Sequence, residues 1–404
     1  MTSIKVEFQG HDGARLDGRL EQPLVEPRAY AGFAHCFTCG KDVLAAARVS
    51  RGLAQHGIAV LRFDFTGLGI SGGSFPSTNF SSNVADLLHA ANFLRENYQA
   101  PALFIGHSLG GAAALAAAGD IPELTAVATI AAPSEPAHAL HLLGEALNEL
   151  RERGEIEVQL VGRRFRIRKQ LLEDLEQTRL SERVAKLTKA LLVMHSPLDE
   201  IVAIDEARRI FESARHPKSF LTLADADHML SKREDAEYVS HVLAAWAERY
   251  LPKTPELTLK PGWVEVCETR SGKFTNTVRV GRHALPTDEP VEAGGDDTGP
   301  GPYDYLLGSL GACTSMTLRM YAQHKDLPLE RVSVRLRHSR VHAEDCTDCE
   351  TESGQISEIE REIRVEEQLT EAERQKLLEI ANKCPVHRTL TGEIKVRSRL
   401  AGKC

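Results

Sequence analysis

The first 250 residues alternate short apolar runs with segments that have the period of an amphipathic helix. Six runs have the length and composition of buried strands: AGFAHCF (31–37), GIAVLRFDF (57–65), PALFIGHS (101–108), LTAVATIAAP (124–133), KALLVMHS (189–196) and SFLTLAD (219–225). Helical patterns such as NVADLLHAANFLRENY lie between them. Continuously apolar strands that alternate with helices predict a mostly parallel sheet covered by helices on both faces.

An insertion over 135–188 interrupts this alternation. Its pattern predicts a helix over 135–150, a short hairpin over 156–168 and a second helix over 169–180. Because it follows a central strand, the segment is a candidate cap over a site at the sheet edge. An ordinary surface excursion without a gating role remains the alternative.

The second half of the chain has a different pattern. Prolines at 252 and 255 predict a stiff linker over 252–259. Alternating strand-like runs then cover 263–270, 274–281, 331–342 and 357–368, and helical patterns cover 303–325 and 370–384. Strands and helices grouped in blocks predict an α+β domain over 260–404, after an α/β domain over 1–251.

Composition excludes several classes of protein. The 404 residues carry 49 basic and 57 acidic side chains, a formal charge of −8, which argues against a nucleic-acid-binding protein. No run reaches the ~20 apolar residues of a membrane helix, and the first residues lack an export signal, so we predict a cytoplasmic protein that contacts neither membrane nor nucleic acid. Eight cysteines are too few for a disulfide scaffold, and reduced thiols are the expectation.

A candidate nucleophile lies in the motif Gly106-His107-Ser108-Leu109-Gly110, between an apolar strand and a helical pattern. This is the strand–turn–helix context of a G-x-S-x-G elbow. Asp199 and His228 each follow a later strand, in the chain order that such a serine needs for its acid and base. Asp199 as a helix cap and His228 as a core histidine are the separate alternatives.

An oxyanion hole would take two backbone amides, and we assign them to Leu109 and to Phe37 in the loop after the first strand of the series. The run Gly67-Leu68-Gly69-Ile70-Ser71-Gly72 satisfies G-x-G-x-x-G, but no helical pattern follows it as a dinucleotide site requires. We therefore predict no cofactor and no metal.

Residues 1–251 resemble an α/β-hydrolase of the serine esterase or peptidase-like type, on the HCF loop, GHSLGG, HSPLDE and DADH. The resemblance implies hydrolysis of an ester, thioester or amide through an acyl-enzyme. In the early loop Cys36 stands where the family commonly has glycine, and it forms a C-x-x-C pair with Cys39. We hypothesise that oxidation at Cys39 modulates ester turnover.

Two further cysteines stand in the second half. Cys313 lies within the first long helical pattern and Cys384 ends the second, and from the residues alone both are most simply buried structural thiols. However, LGSLGACTSMT and NKCPVH resemble the two signature segments of the OsmC-like family. That resemblance implies an intertwined homodimer in which Cys313 attacks an organic hydroperoxide and Cys384 resolves the sulfenic acid as a disulfide, which a dithiol reductant reopens.

The group that would activate the thiol departs from the family pattern. Where the peroxidases have a glutamate that orients an arginine, this chain has Tyr303, with Asp304 beside it. A thiolate at neutral pH needs a cation nearby, and the candidates are Arg282, Arg319 and Arg388. The alternative is a dimerisation, ligand-binding or redox-sensing module without peroxidase activity. The pair Cys346 and Cys349 is a weak zinc motif that we interpret as a solvated loop.

Overall fold

The computed structural model describes residues 1–36, 38–160, 163–253, 259–269, 272–345, 353–366 and 369–400. The chain folds into two compact units, Met1–Pro286 and Thr287–Cys404. This division falls later than the linker predicted at 252–259, most of which lies outside the described residues, so the predicted domain boundaries remain a proposal.

The first unit is built on an eight-stranded sheet. Its strands are β1 Thr2–Gln9, β2 Arg15–Gln22, β3 Ala29–Ala34, β4 Ile58–Phe63, β5 Leu103–His107, β6 Ala126–Ile130, β9 Ala190–His195 and β10 Lys218–Thr222. They lie in the order β1-β2-β4-β3-β5-β6-β9-β10. All neighbours from β4 to β10 are parallel, whereas β1 and β2 add an antiparallel edge. The predicted mostly parallel sheet is confirmed.

Helices cover both faces of this sheet, as predicted. They are α1 Leu44–Gln55, α2 Phe80–Asn97, α3 Leu109–Ala118, α7 Ile204–Ser213 and α8 Arg233–Ala247. On one face α1 and α8 contribute Val49 and Leu243 to a buried apolar layer. On the other face α2 and α3 contribute Leu87 and Leu115 to a second layer. Burial on both sides is the reason that the central strands are largely apolar, with buried polar exceptions such as Arg62 on β4 and Thr129 on β6.

The insertion after β6 folds as predicted in outline. It contains a 3₁₀ helix Pro136–Leu143, α4 Ala146–Arg153, the hairpin β7 Glu155–Leu160 with β8 Arg163–Arg168, α5 Lys169–Gln177 and α6 Leu180–Lys186. The helix predicted over 135–150 is divided at Gly144, which has a positive φ of 50°. Glu135 fastens the far end of the insertion, because its carboxylate accepts the amides of Leu180 and Ser181 at 2.8 and 3.1 Å.

Beyond residue 259, the described residues form two small sheets and three helices. The elements are β11 Glu265–Glu268, β12 Asn276–Val280, β13 His283–Thr287, α9 Pro302–His324, β14 Val332–His342, β15 Gln355–Val365, α10 Glu371–Ala381 and α11 Pro385–Leu390. β11–β13 form one antiparallel sheet and β14–β15 another. α10 begins with a capping box of Thr370 and Glu373, and Pro385 opens the short α11. No described helix is long and apolar enough to cross a membrane.

Candidate active sites

The serine elbow depends on glycines that allow the closest approach of backbone to backbone. Ser108 joins β5 to α3 at φ 54° and ψ −128°, a conformation that costs energy in any residue with a side chain. A Cβ on Gly106 would lie 2.3 Å from the carbonyl oxygen of Gly110, and one on Gly110 would lie 2.3 Å from that of His35. Neither glycine can therefore be replaced without moving the backbone.

Asp199 and His228 meet at the carboxyl edge of the sheet. The Nδ1 of His228 lies 2.8 Å from Oδ2 of Asp199, and both side chains are buried. Oδ1 of Asp199 accepts the amides of Ile201 and Val202 at 2.9 Å each. Burial alone would raise the pKa of Asp199, but the hydrogen bonds from His228 and the two amides outweigh it and hold the pKa below its usual value. The carboxylate is thus ionised and aimed at the imidazole.

A small cavity opens beside Ser108, which is itself half-buried. About 30 Å³ of space is lined by Ser108, Leu109, Pro133, His138, Ala139, His141, Leu142, Ile201 and Val202. Four of these residues belong to the 3₁₀ helix at the start of the insertion, so the insertion covers the serine as a cap would. Most of the lining is apolar, which favours the acyl or alcohol portion of an ester over a charged ligand.

The two amides predicted for an oxyanion hole differ in how far the structure describes them. Leu109 begins α3, so its N–H has no acceptor within the helix and is available beside Ser108. Phe37 lies outside the described residues. Its neighbours Cys36 and Cys39 are joined by a disulfide, whereas reduced thiols were expected there.

The loop that carries Cys39 is fastened by a buried ion-pair cluster. Nζ of Lys41 lies 2.7 Å from a carboxylate oxygen of Asp17 and 2.7 Å from one of Asp64. The amide of Lys41 also donates to Asp64 at 2.6 Å. Asp64 reaches the glycine-rich loop as well, since it accepts the amide of Ile70 at 3.2 Å. The glycine-rich loop over 67–72 therefore packs around the carboxylate of Asp64, and a short 3₁₀ helix, Phe75–Ser77, follows it before α2.

In the second unit the two predicted cysteines lie side by side on α9 and at the start of α11. Cys384 is fully buried, and its sulfur accepts the amide of His387 at 3.4 Å. The hydroxyl of Thr314 lies 3.7 Å from the same sulfur. Burial raises the pKa of this thiol, but hydrogen bonds from His387, Thr314 and Cys313, together with a nearby guanidinium, outweigh it and lower the pKa overall.

That guanidinium belongs to Arg361 on β15, which the sequence reasoning did not select. Arg361 donates to Oγ1 of Thr314 at 3.0 Å and to Oδ1 of Asn382 at 2.6 Å. Its charge is the cation that lowers the pKa of Cys384. In the structure exposed and half-buried residues alternate along β15, and Arg361 falls on the half-buried side with Ile359 and Ile363.

The structure positions the other candidate activating residues elsewhere. Arg319 donates to the backbone carbonyls of Leu329 and Glu330. Arg282 is exposed in the turn between β12 and β13, and Arg388 is exposed on α11. Asp304 accepts the amide of Gly301 at 2.9 Å and so caps α9. Cys346 and Cys349 lie outside the described residues.

An open groove of about 440 Å³ runs along α9 in this unit. It is lined by Asp304, Leu307, Gly308, Gly311, Ala312 and Ser315 of α9 and by Val334 and Leu336 of β14. On the same helix Met316 and Met320 are two-thirds exposed, which is unusual for methionine. Among the described residues no group of three or more potential ligands could hold a metal ion.

Comparison with known families gives one match within each unit of the chain. Residues 39–174 match the family of serine aminopeptidase, S33, and residues 294–399 match the OsmC-like protein family. No curated protein matches the chain significantly.

Solved structures extend the first match. The esterase domain of a Rhodothermus marinus protein is 49% identical, with 62% of this chain and 100% of that one covered and a TM-score of 0.52. Ferulic acid-bound Est1E from Butyrivibrio proteoclasticus, 21% identical, covers 61% of this chain and 99% of its own at 0.53. The α/β-hydrolase GrgF from Penicillium sp. sh18, 19% identical, covers 62% and 99% at 0.53. The last two show the fold alone. With its sheet, its serine elbow and these matches, the chain belongs to the α/β-hydrolases, as an esterase-like hydrolase followed by an OsmC-like domain.

Proposed function

We propose that the first domain, residues 1–251, hydrolyses small acyl esters or thioesters through a triad of Ser108, His228 and Asp199. The contact of 2.8 Å between His228 and Asp199, at the sheet edge that carries the serine elbow, is the observation that supports it most. Asp199 fixes the proton of His228 on Nδ1, so Nε2 is free to accept the proton of the Ser108 hydroxyl.

The reaction then follows the acyl-enzyme route. Oγ of Ser108 attacks the ester carbonyl, and the amides of Leu109 and Phe37 stabilise the oxyanion. His228 returns its proton to the departing alcohol or thiol, and water later releases the acid by the same path. The apolar cavity under the cap supports a small acyl group as the preferred substrate.

An ester panel tests this directly. Purified protein should hydrolyse p-nitrophenyl acetate or butyrate, and Ser108→Ala should abolish turnover while the fold stays intact. Ser134→Ala is a matched control, since this buried serine bonds Glu206 at 2.6 Å instead of a histidine. Turnover that persists in Ser108→Ala would reject the proposal.

We further propose that the OsmC-like domain, residues 260–404, reduces organic hydroperoxides with Cys313 and Cys384. A thiolate of Cys313 takes the terminal oxygen of the hydroperoxide, which releases an alcohol and leaves a sulfenic acid. Cys384 attacks that sulfur, water leaves, and a dithiol reductant reopens the disulfide. The hydrogen bond between the two cysteines and the lowered pKa of Cys384 support this pairing.

Hydroperoxide consumption with a dithiol decides between this activity and its alternative. Cys313→Ser and Cys384→Ser should both stop cycling, whereas Cys267→Ser, at an exposed cysteine on β11, should not. If the wild type consumes no hydroperoxide, the domain is a ligand-binding or redox-sensing module, and the groove along α9 is then its candidate binding surface.

The OsmC-like domain is also our proposed site of homodimerisation. The exposed methionines 316 and 320 beside the groove are apolar surface that a second copy of the chain would cover. Light scattering after chromatography should give twice the 44.4 kDa chain mass, and Met316→Glu with Met320→Glu should give monomers. We also propose a cytoplasmic location, where a dithiol reductant is at hand.

A further inference from the structure

Two strands of the central sheet end in a fully buried histidine. His107 is the last residue of β5 and His195 is the last residue of β9, on either side of β6. Neither has an assigned role in the proposed triad. Buried histidines need hydrogen-bond partners, so the partners of these two rings indicate what they do.

His107 bonds the backbone of the proposed general base. Its Nε2 lies 2.7 Å from the carbonyl oxygen of His228, and the two imidazole centroids are 5.1 Å apart. His107 is also the residue directly before Ser108 in the chain. One side chain thus connects the peptide of the nucleophile to the peptide of the base.

His195 makes the corresponding contact on the other side. Its Nε2 lies 2.7 Å from the carbonyl oxygen of Val202 and 3.5 Å from Oδ2 of Asp199. The amide of Val202 donates to Oδ1 of the same carboxylate at 2.9 Å. His195 therefore fixes the turn that holds Asp199.

The chemistry of the acceptors assigns the proton in both rings. A carbonyl oxygen only accepts, so each Nε2 must carry hydrogen. Burial lowers the pKa of both histidines, that of His107 to about 4, so each ring is neutral and holds a single proton. Among the described residues, Nδ1 of each ring has no hydrogen-bond partner.

We propose that His107 and His195 are positioning residues of the hydrolase site, which set the places of His228 and Asp199 through the Nε2–H bonds to the carbonyls of His228 and Val202. The inference rests on the proposed triad. It assigns the histidine before the nucleophile a role in geometry rather than in proton transfer. A displacement of about 1 Å between base and nucleophile costs roughly 100-fold in rate, so such a bond matters for turnover.

Amide variants test the bond itself. The side-chain nitrogen of glutamine reaches the position of Nε2, whereas that of asparagine corresponds to Nδ1. His107→Gln should keep kcat close to wild type, while His107→Asn and His107→Phe should lower kcat by about 10- to 100-fold with KM little changed. The same pattern is expected for His195→Gln against His195→Asn.

Folding and the triad are checked separately. Each variant is compared with wild type by thermal melting and by its reaction with a fluorophosphonate, which labels an activated serine. Folded Asn and Phe variants with wild-type kcat, or a Gln variant as slow as Asn, would overturn the positioning role. If the wild-type protein hydrolyses no ester, or if Ser108→Ala hydrolyses it equally fast, the proposed function itself is rejected.

Discussion

Asp199 and His228 are separated by 29 residues along the chain, yet Oδ2 of one lies 2.8 Å from Nδ1 of the other. The carboxylate also accepts two backbone amides, so its own position does not depend on the imidazole. This allows the role of its charge to be tested without collapse of the loop.

For Asp199→Asn we expect ester turnover to fall by about a thousandfold or more, because an amide cannot hold the proton of His228 on Nδ1. Steady-state kinetics on an activated ester measure it. Asp227→Asn, a turn carboxylate whose Oδ1 accepts the amide of Ser231, is the matched control. A wild-type kcat in the Asp199→Asn variant would remove Asp199 from the mechanism.

Loss of Lys41 from its buried ion-pair cluster should destabilise the first unit strongly. Lys41→Met leaves Asp64 buried without its cation and leaves Asp17 with the more distant Lys5, at 3.4 Å, and removing one partner of a buried pair costs about 3–5 kcal/mol. Urea unfolding measures the free energy. Arg233→Ala breaks an exposed, solvent-screened pair with Glu237 and should change the free energy of unfolding little. If the two variants lose the same free energy of unfolding, the buried cluster has no special role in the stability of the first unit.

Acid should destabilise the protein partly through His107. The pKa of this histidine is about 4 in the fold, against an ordinary value of 6.5, so the unfolded chain binds the proton first. The free energy of unfolding therefore falls as pH drops from about 6.5 to about 4, by up to about 3 kcal/mol from this residue. Urea titrations across that range should show a shallower slope for His107→Gln. An unchanged slope would mean that His107 titrates normally.

Arg361 should control the thiol of Cys384. Arg361→Met removes the positive charge and the donor to Thr314, so the pKa of Cys384 should rise and less thiolate should exist at neutral pH. Thiolate absorbance near 240 nm, followed against pH, measures the shift. Arg364 on the same strand pairs with the exposed Glu362, so Arg364→Met should leave the titration unchanged.

The disulfide beside the proposed oxyanion loop should make ester turnover sensitive to reduction. A dithiol that opens the bond between Cys36 and Cys39 frees the loop before α1, and we expect a change in kcat. The double variant with serine at both positions should have the kcat of the dithiol-treated wild type, and the dithiol should not change it further. If Cys39→Ser leaves the oxidant response of the enzyme as it was, the pair is structural only.

Much of the first unit was predictable because its strands are buried on both faces, and burial demands continuous apolar runs. β2 was not predicted, since its buried positions carry Asp17 and Glu21. Their charges are compensated by Lys41 and Arg62, which approach only in the folded chain. A prediction based on hydrophobicity alone cannot detect a strand whose buried positions are charged.

Of the candidate site residues, some could be predicted from the sequence and others could not. Ser108, Asp199 and His228 could be named from the sequence, because each follows an apolar strand and parallel strands end at one edge. The positions of Arg361, His107 and His195 depend on pairing between distant segments. No sequence pattern predicts the hydrogen bond between Arg361 and Thr314, or the one between His107 and the carbonyl of His228.

The elbow glycines have a consequence for how such an enzyme can change. A methyl group at Gly106 or Gly110 would lie 2.3 Å from a backbone oxygen. The backbone beneath Ser108 therefore has no room for an added atom. New substrate preferences must then arise in the inserted segment that covers the cavity. This segment supplies two histidines and a leucine to the lining and can vary without disturbing the sheet.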